Sequence, residues 1–167
     1  LAAAAPNTWT TKAAKPSSTY GPAASVGGKV YVIGGSDPPS SENREYDPVT
    51  NTWATKASMP TARYGHALAA ARGKIYSVGG YNNSCGVYAM NEEYDPVTNT
   101  WATKAPMPTA RDAFVLVNPG NGKIYAIGGD NGPCPSNHIS TNEEYDPAGN
   151  VWTAKAAMPT PRRDPFA

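Results

Sequence analysis

The apolar positions along this chain come in short bursts, and none recurs at the spacing of a helix. Ile75-Tyr76-Ser77-Val78 is β-branched and aromatic and closes on Gly79-Gly80. A run of that length, bounded by glycine, reads as a strand leading into a close-packed bend. Its surroundings complete a small sheet. Residues 62–70 form a strand of small side chains, and Arg72-Gly73-Lys74 is a tight turn in which glycine supplies a positive φ. After a polar loop over 81–90, Asn91-Glu92-Glu93-Tyr94 is a third strand. Asp95-Pro96-Val97-Thr98-Asn99-Thr100 is a turn, with Asp to open it and Pro to preset φ. Trp101-Ala102-Thr103-Lys104-Ala105 is the fourth strand. The pattern predicts four short antiparallel strands and essentially no helix.

The same pattern returns along the chain. Trp9, Trp53, Trp101 and Trp152 lie 44, 48 and 51 residues apart. Paired glycines recur at Gly34-Gly35, Gly79-Gly80 and Gly128-Gly129, and Tyr-Asp-Pro recurs at Tyr46, Tyr94 and Tyr145. The eleven residues from Asp47 to Ala57 return unchanged from Asp95 to Ala105. Counted from tryptophan to tryptophan, residues 1–167 form one partial propeller. Its modules are 9–52, 53–100 and 101–151, and 152–167 starts or closes a neighbouring blade. A lone four-stranded sheet cannot bury both faces, so the modules must stack on one another. A period near 50 with four strands per repeat is the arrangement of a β-propeller.

The order Arg, Gly-Lys-Ile-Tyr, Gly-Gly, Tyr-Asp-Pro, Trp, Met-Pro resembles the kelch repeat. The second module carries it at Arg63, Gly73 to Tyr76, Gly79-Gly80, Tyr94 to Pro96, Trp101 and Met107-Pro108. The third carries it at Arg111, Gly122 to Tyr125, Gly128-Gly129, Tyr145 to Pro147, Trp152 and Met158-Pro159. The first departs: Thr19 stands nearest to the missing Arg. The resemblance implies about three blades of a six- to eight-bladed ring, with the repeated Trp and Tyr packing blade on blade. The chain opens and closes on fourth strands, so four of them serve three sets of the others. A window cut from a longer propeller explains this more simply than a self-completing dimer, whose surplus edges would be a liability. The missing blades would come from the same longer chain or from a second copy.

Composition narrows the function. Lys+Arg is 14 against Asp+Glu 13, so nothing in the charge balance points to nucleic acid. No run reaches the roughly 18 apolar residues of a membrane span. Gly at 16 and Pro at 17 make a turn-dense chain, while ten Tyr and four Trp argue against disorder. Low charge, with abundant Thr, Ala and Pro, suits an extracellular or cell-surface protein.

Candidate chemistry falls mainly on one face. The connections between strands two and three, and from strand four to the next blade, vary between modules. From each Gly-Gly to the next Tyr-Asp-Pro there are 10, 13 and 15 residues. Loops carry function on a fixed scaffold, so this face is the expected binding surface for a protein or carbohydrate partner. Its candidates are Tyr64, Tyr81, Asn82, Asn83, Asp112, Asp130, Asn131, His138 and Arg163. Gly34, Gly35, Gly79, Gly80, Gly128 and Gly129 precede no helix and read as close packing rather than a phosphate cradle. Trp53, Trp101, Trp152, Tyr46, Tyr94 and Tyr145 recur once per blade and read as structural. Arg63 and Arg111 are expected to brace each blade against the recurring Glu45, Glu93 and Glu144. Cys85 and Cys134 hold equivalent loop positions and leave disulfide and free thiol both open, since a bridge needs Cα atoms within about 7 Å. His138 with two cysteines falls short of a zinc set, so no metal and no cofactor is expected. His66 reads as a core histidine. Kelch-like enzymes exist, among them copper-radical oxidases and sialic-acid mutarotases. A Tyr, Cys and His set for the first is not assembled from His66, His138 and the cysteines, and the second cannot be mapped onto these residues. The favoured reading is a non-enzymatic binding or structural scaffold.

Overall fold

Twelve strands build three sheets in the computed structural model, which describes residues 8–35, 38–82, 86–132 and 136–163. The first sheet contains β1 (Ala23–Val26), β2 (Lys29–Gly35), β3 (Ser40–Asp47) and β4 (Thr52–Thr55). The second contains β5 (Ala67–Ala71), β6 (Lys74–Val78), β7 (Asn91–Asp95) and β8 (Thr100–Thr103). The third contains β9 (Val115–Val117), β10 (Ile124–Ile127), β11 (Asn142–Asp146) and β12 (Val151–Lys155). Each is a meander in which every strand pairs antiparallel with the next. No helix occurs among the described residues, so none there is long and apolar enough to cross a membrane. The first strand of the second sheet starts at Ala67, later than the run of small side chains at 62–70, because 61–66 serves as the connection between sheets.

The core lies between sheets. Tyr31 and Ile33 of the first sheet pack with Met59 of the connection and with Leu68, Ile75 and Tyr94 of the second. Tyr76 and Val78 of the second do the same with Met107, Phe114, Leu116, Ile124 and Tyr145. This explains why Ile75 to Val78 of β6 are all buried instead of alternating with exposed positions: both faces of the strand are covered. The fourth strands β4 and β8 are mostly exposed. The first strands β1, β5 and β9 lie beside one another, so the blades converge along their inner edges. Those strands read AASV, ALAAA and VLV, with no titratable side chain.

Candidate functional site

The repeated letters DPVTNTW describe a clasp between blades. Asp95 Oδ1 accepts the backbone N–H of Val97 at 2.9 Å, which closes the turn. Asn99 then takes a left-handed conformation, φ 56°. Its side-chain oxygen accepts the Tyr94 hydroxyl at 2.8 Å and the N–H of Ala57 at 2.9 Å, and Ala57 belongs to the preceding blade. Trp101 Nε1 donates to the Ala57 carbonyl at 2.8 Å, while its ring packs on Tyr94 with centroids 5.1 Å apart. The clasp recurs as Tyr46, Asn51 and Trp53 on Ala13, and as Tyr145, Asn150 and Trp152 on Ala105. These aromatic residues are committed to the seams.

Arg63 and Arg111 form a second stitch. The Arg63 carbonyl accepts Gly35 N–H at 3.0 Å and its N–H donates to Ser40 O at 3.2 Å, both in the first sheet. Its buried guanidinium enters the second sheet, donating to Glu92 at 2.5 Å and to Ser77 O at 3.0 Å. Arg111 repeats this on Gly80, then on Gly128 O, Thr141 O and Glu143. The partner is therefore Glu92 or Glu143, one residue before the expected Glu93 or Glu144. One step along a strand reverses the face. Glu45, Glu93 and Glu144 point the other way and accept the hydroxyls of Tyr31, Tyr76 and Tyr125 at 2.6, 2.5 and 2.5 Å. In the first blade Arg44 occupies the position of Glu92, and Glu42 becomes the acceptor. It takes Arg44 Nε at 2.8 Å, Ser17 at 2.5 Å and Thr19 at 2.6 Å. Burial raises the Glu42 pKa, but these hydrogen bonds outweigh it and bring it to about 2.

The first glycine of each pair packs against the next blade, and the second against the segment that enters its own blade. A Cβ on Gly79 would meet Arg111 O at 2.5 Å, and one on Gly80 would meet Tyr64 O at 2.7 Å. The second glycine of each pair donates its N–H to the carbonyl of Arg63, Arg111 or Arg162. His66 is buried beside them, with Nε2 at 3.1 Å from Ile33 O. Burial, then the nearby charge of Arg63, lowers its pKa to about 3.

The variable loops meet at the inner mouth. Tyr64 and Tyr81 bridge backbone to backbone, as do Asp112 and Asp130 at the equivalent place one blade on. The Tyr64 and Tyr81 rings lie 4.0 Å apart. Burial, then the hydrogen bond with Tyr64, pushes the Tyr81 phenol up; the Asp112 charge adds to this and Arg163 opposes it. These four side chains thus share one electrostatic neighbourhood. Asp130 and Asp112 are buried. The Asp130 carboxylate ties its own loop, accepting Gly132 N–H at 2.9 Å, Asn137 N–H at 2.8 Å and the Ser136 hydroxyl. Burial raises its pKa, and these bonds more than reverse the effect. Its Oδ2, which accepts the Ser136 hydroxyl, stands 3.7 Å from His138 Nε2. Asn82 donates to the Tyr88 hydroxyl at 2.6 Å. Asn131, His138 and Arg163 face solvent. Asn83, Cys85 and Cys134 lie outside the described residues, so the thiol question does too.

One mouth residue escaped the sequence reading. Tyr20 follows Thr19 as Tyr64 follows Arg63, and it is 71% exposed. The alignment of Thr19 with Arg63 was the signal that pointed to it. One residue per step thus rims the mouth: Tyr20, Tyr64, Asp112 and Arg163. Among the described residues no group of three or more His, Cys, Asp or Glu gathers as a metal site.

Four-stranded meanders stacked through their faces, with first strands converging, are the blades of a β-propeller. A family model for the KLHDC2/KLHL20/DRC7 Kelch-repeats domain matches residues 4–165, and the chain belongs to that kelch-repeat family. Among solved structures it is similar to the one titled "Structure of YjhT", with a TM-score of 0.75 and 22% sequence identity. That match covers 93% of this chain and 57% of the YjhT chain, so the present chain spans little more than half of that propeller. The search of curated proteins returned no match.

Proposed function

We propose that this chain is a non-enzymatic binding scaffold that presents its loop-face mouth to a protein or carbohydrate partner. The observation behind this reading is the convergence of Tyr64, Asp112 and Arg163, from three successive blade connections, with Tyr81 of the β6–β7 loop onto one place. Aromatic rings there offer flat apolar contact, and Arg163, His138 and Asn131 offer exposed donors at the rim. The Asp130 carboxylate is held as an anion by its own loop, so it anchors that loop and does not trade protons. The inner strands below carry no titratable group, which favours binding over catalysis. An extracellular or cell-surface setting fits the low charge.

Arrays of oligosaccharides and of peptides test the reading. A hit is measured by calorimetry on the wild-type chain and on Tyr20→Ser, Arg163→Ala and His138→Ala. Loss of affinity on the order of tenfold in at least one rim variant is expected. Equal affinity in all three variants would remove the mouth from consideration. Chemical conversion of the hit, followed by NMR, would replace the scaffold with the kelch-type enzyme.

A further inference from the structure

The opposite face, where the tight turns lie, has an opening between the first two blades. A cavity of about 410 Å³ sits between the first and second blades. That volume falls within the range of small-molecule sites, about 300–1,000 Å³. Val26 and Gly27 flank it on one blade, Pro96 and Val97 on the other, and Lys29 and Lys56 reach into it.

Symmetry supplies the argument. Between the second and third blades, Ala71, Arg72, Lys74, Lys104, Pro147 and Ala148 take the corresponding positions. There Arg72 crosses the cleft: its Nε lies 3.8 Å from where a Cβ on Gly122 would sit, and its charge acts on Asp146. At the first seam Gly27 stands in place of that arginine, and nothing lies within 4 Å of its Cβ position. The backbone does not demand glycine there, because Arg72 takes φ 52° where Gly27 has 60°. The seam is open because a side chain is missing, with the fold unchanged. Val97, 92% exposed, then adds an apolar wall where the second seam has only Ala148.

The polar groups decide what fits. Glu45 already accepts Tyr31 at 2.6 Å, Lys29 at 2.9 Å and Lys56 at 3.2 Å, and Asp47 Oδ2 stands 3.7 Å from Lys29. The acceptor capacity of Glu45 is nearly spent. Each lysine ammonium carries three N–H donors and directs only part of them at carboxylates. The unused capacity at the polar end is therefore donor capacity on cations, beside an apolar wall. We infer that this cleft binds a small amphipathic carboxylic acid, with its carboxylate on Lys29 and Lys56 and its hydrocarbon body against Val26, Pro96 and Val97.

Hexanoate is the probe, with hexanol and hexylamine as controls, titrated into the full chain and followed by amide shifts and calorimetry. Hexanoate is expected to move the amides of Val26, Gly27 and Val97, and to bind on the order of tenfold more tightly than either control. Gly27→Arg, which copies the second seam, should abolish binding while the melting curve is retained. Lys56→Met is the second variant, should the first fail to fold, and should weaken hexanoate without weakening hexanol. The double variant Arg72→Gly, Ala148→Val should gain a second hexanoate site. No shift at the limit of hexanoate solubility, equal binding of the three probes, or full binding by Gly27→Arg would each overturn the assignment.

Discussion

Trp101 donates its indole N–H to the carbonyl of Ala57 across the seam between two blades, at 2.8 Å. Asn99 takes the N–H of the same Ala57 at 2.9 Å. One residue of the first blade thus has both backbone polar groups satisfied by side chains of the second. Removing the Asn99 acceptor strands the Ala57 N–H, whereas the Ala57 carbonyl keeps Asn43 Nδ2 at 3.2 Å when the Trp101 donor is lost. Trp101→Phe should cost about 1–2 kcal/mol. Asn99→Ala should cost more, about 2–3 kcal/mol, because the left-handed backbone also loses its tolerant residue. Asn99→Asp, which keeps the acceptor, should stay closer to wild type. Urea midpoints rank the three, and an Asn99→Ala midpoint equal to wild type would show that the clasp is idle.

Arg63 is fully buried, and its charge is answered by Glu92. Truncating one partner leaves the other ion unpaired in the interior, at about 3–5 kcal/mol. Arg63→Met should therefore lower the urea midpoint sharply, and Glu92→Met should do the same. The double variant should recover much of the loss, since no orphan charge remains. A double-mutant cycle with additive losses would argue against coupling of the pair.

His66 makes stability depend on pH. Its folded pKa of about 3 lies below the 6.5 of an ordinary histidine, with burial as the main cause. The unfolded chain therefore binds a proton below 6.5 that the folded chain refuses. His66 does not penalise stability above pH 6.5; below it the penalty grows as pH falls toward 3, by up to about 1.4 kcal/mol per pH unit. Urea melts at pH 7, 6 and 5 should show a falling midpoint in wild type and a flatter series in His66→Gln. Parallel series would mean that His66 is protonated in the folded state. Below about pH 4.5 the carboxylates join in. Glu42 and Asp95 are each lowered to about 2, Glu42 by hydrogen bonds that outweigh its burial, and Asp95 first by its hydrogen bond from Lys74.

Gly79 and Gly28 both have positive φ, at 65° and 75°, but only Gly79 is enclosed. Gly79→Ala drives a methyl group against Arg111 O, so strain and overpacking combine to about 3 kcal/mol or more. Gly28→Ala meets no atom within 4 Å and should cost only the backbone term, about 1–2 kcal/mol. Thermal melts of the two variants give the comparison, and equal shifts would mean that the blades part easily at the glycine pair.

Much of this was legible in the letters because repetition exposes it. A strand, a turn and a seam contact that recur once per blade leave their mark at a fixed spacing. Trp53, Trp101 and Trp152, together with the glycine pairs, could therefore be placed before any coordinate. The Arg partner was harder: Glu92 and Glu93 are adjacent and identical, and only the face each takes in β7 separates them. The inward turn of Asp130 was equally hidden, because an acid in a polar loop reads as exposed until its loop is seen to close around it. The open cleft needed both seams in view. By itself the sequence determined the blade, its four strands and the stacking, because local propensity and period carry that information. The tertiary structure decided which charges meet, which loop acids are buried and which seam stays open, because those depend on contacts between residues far apart in the chain.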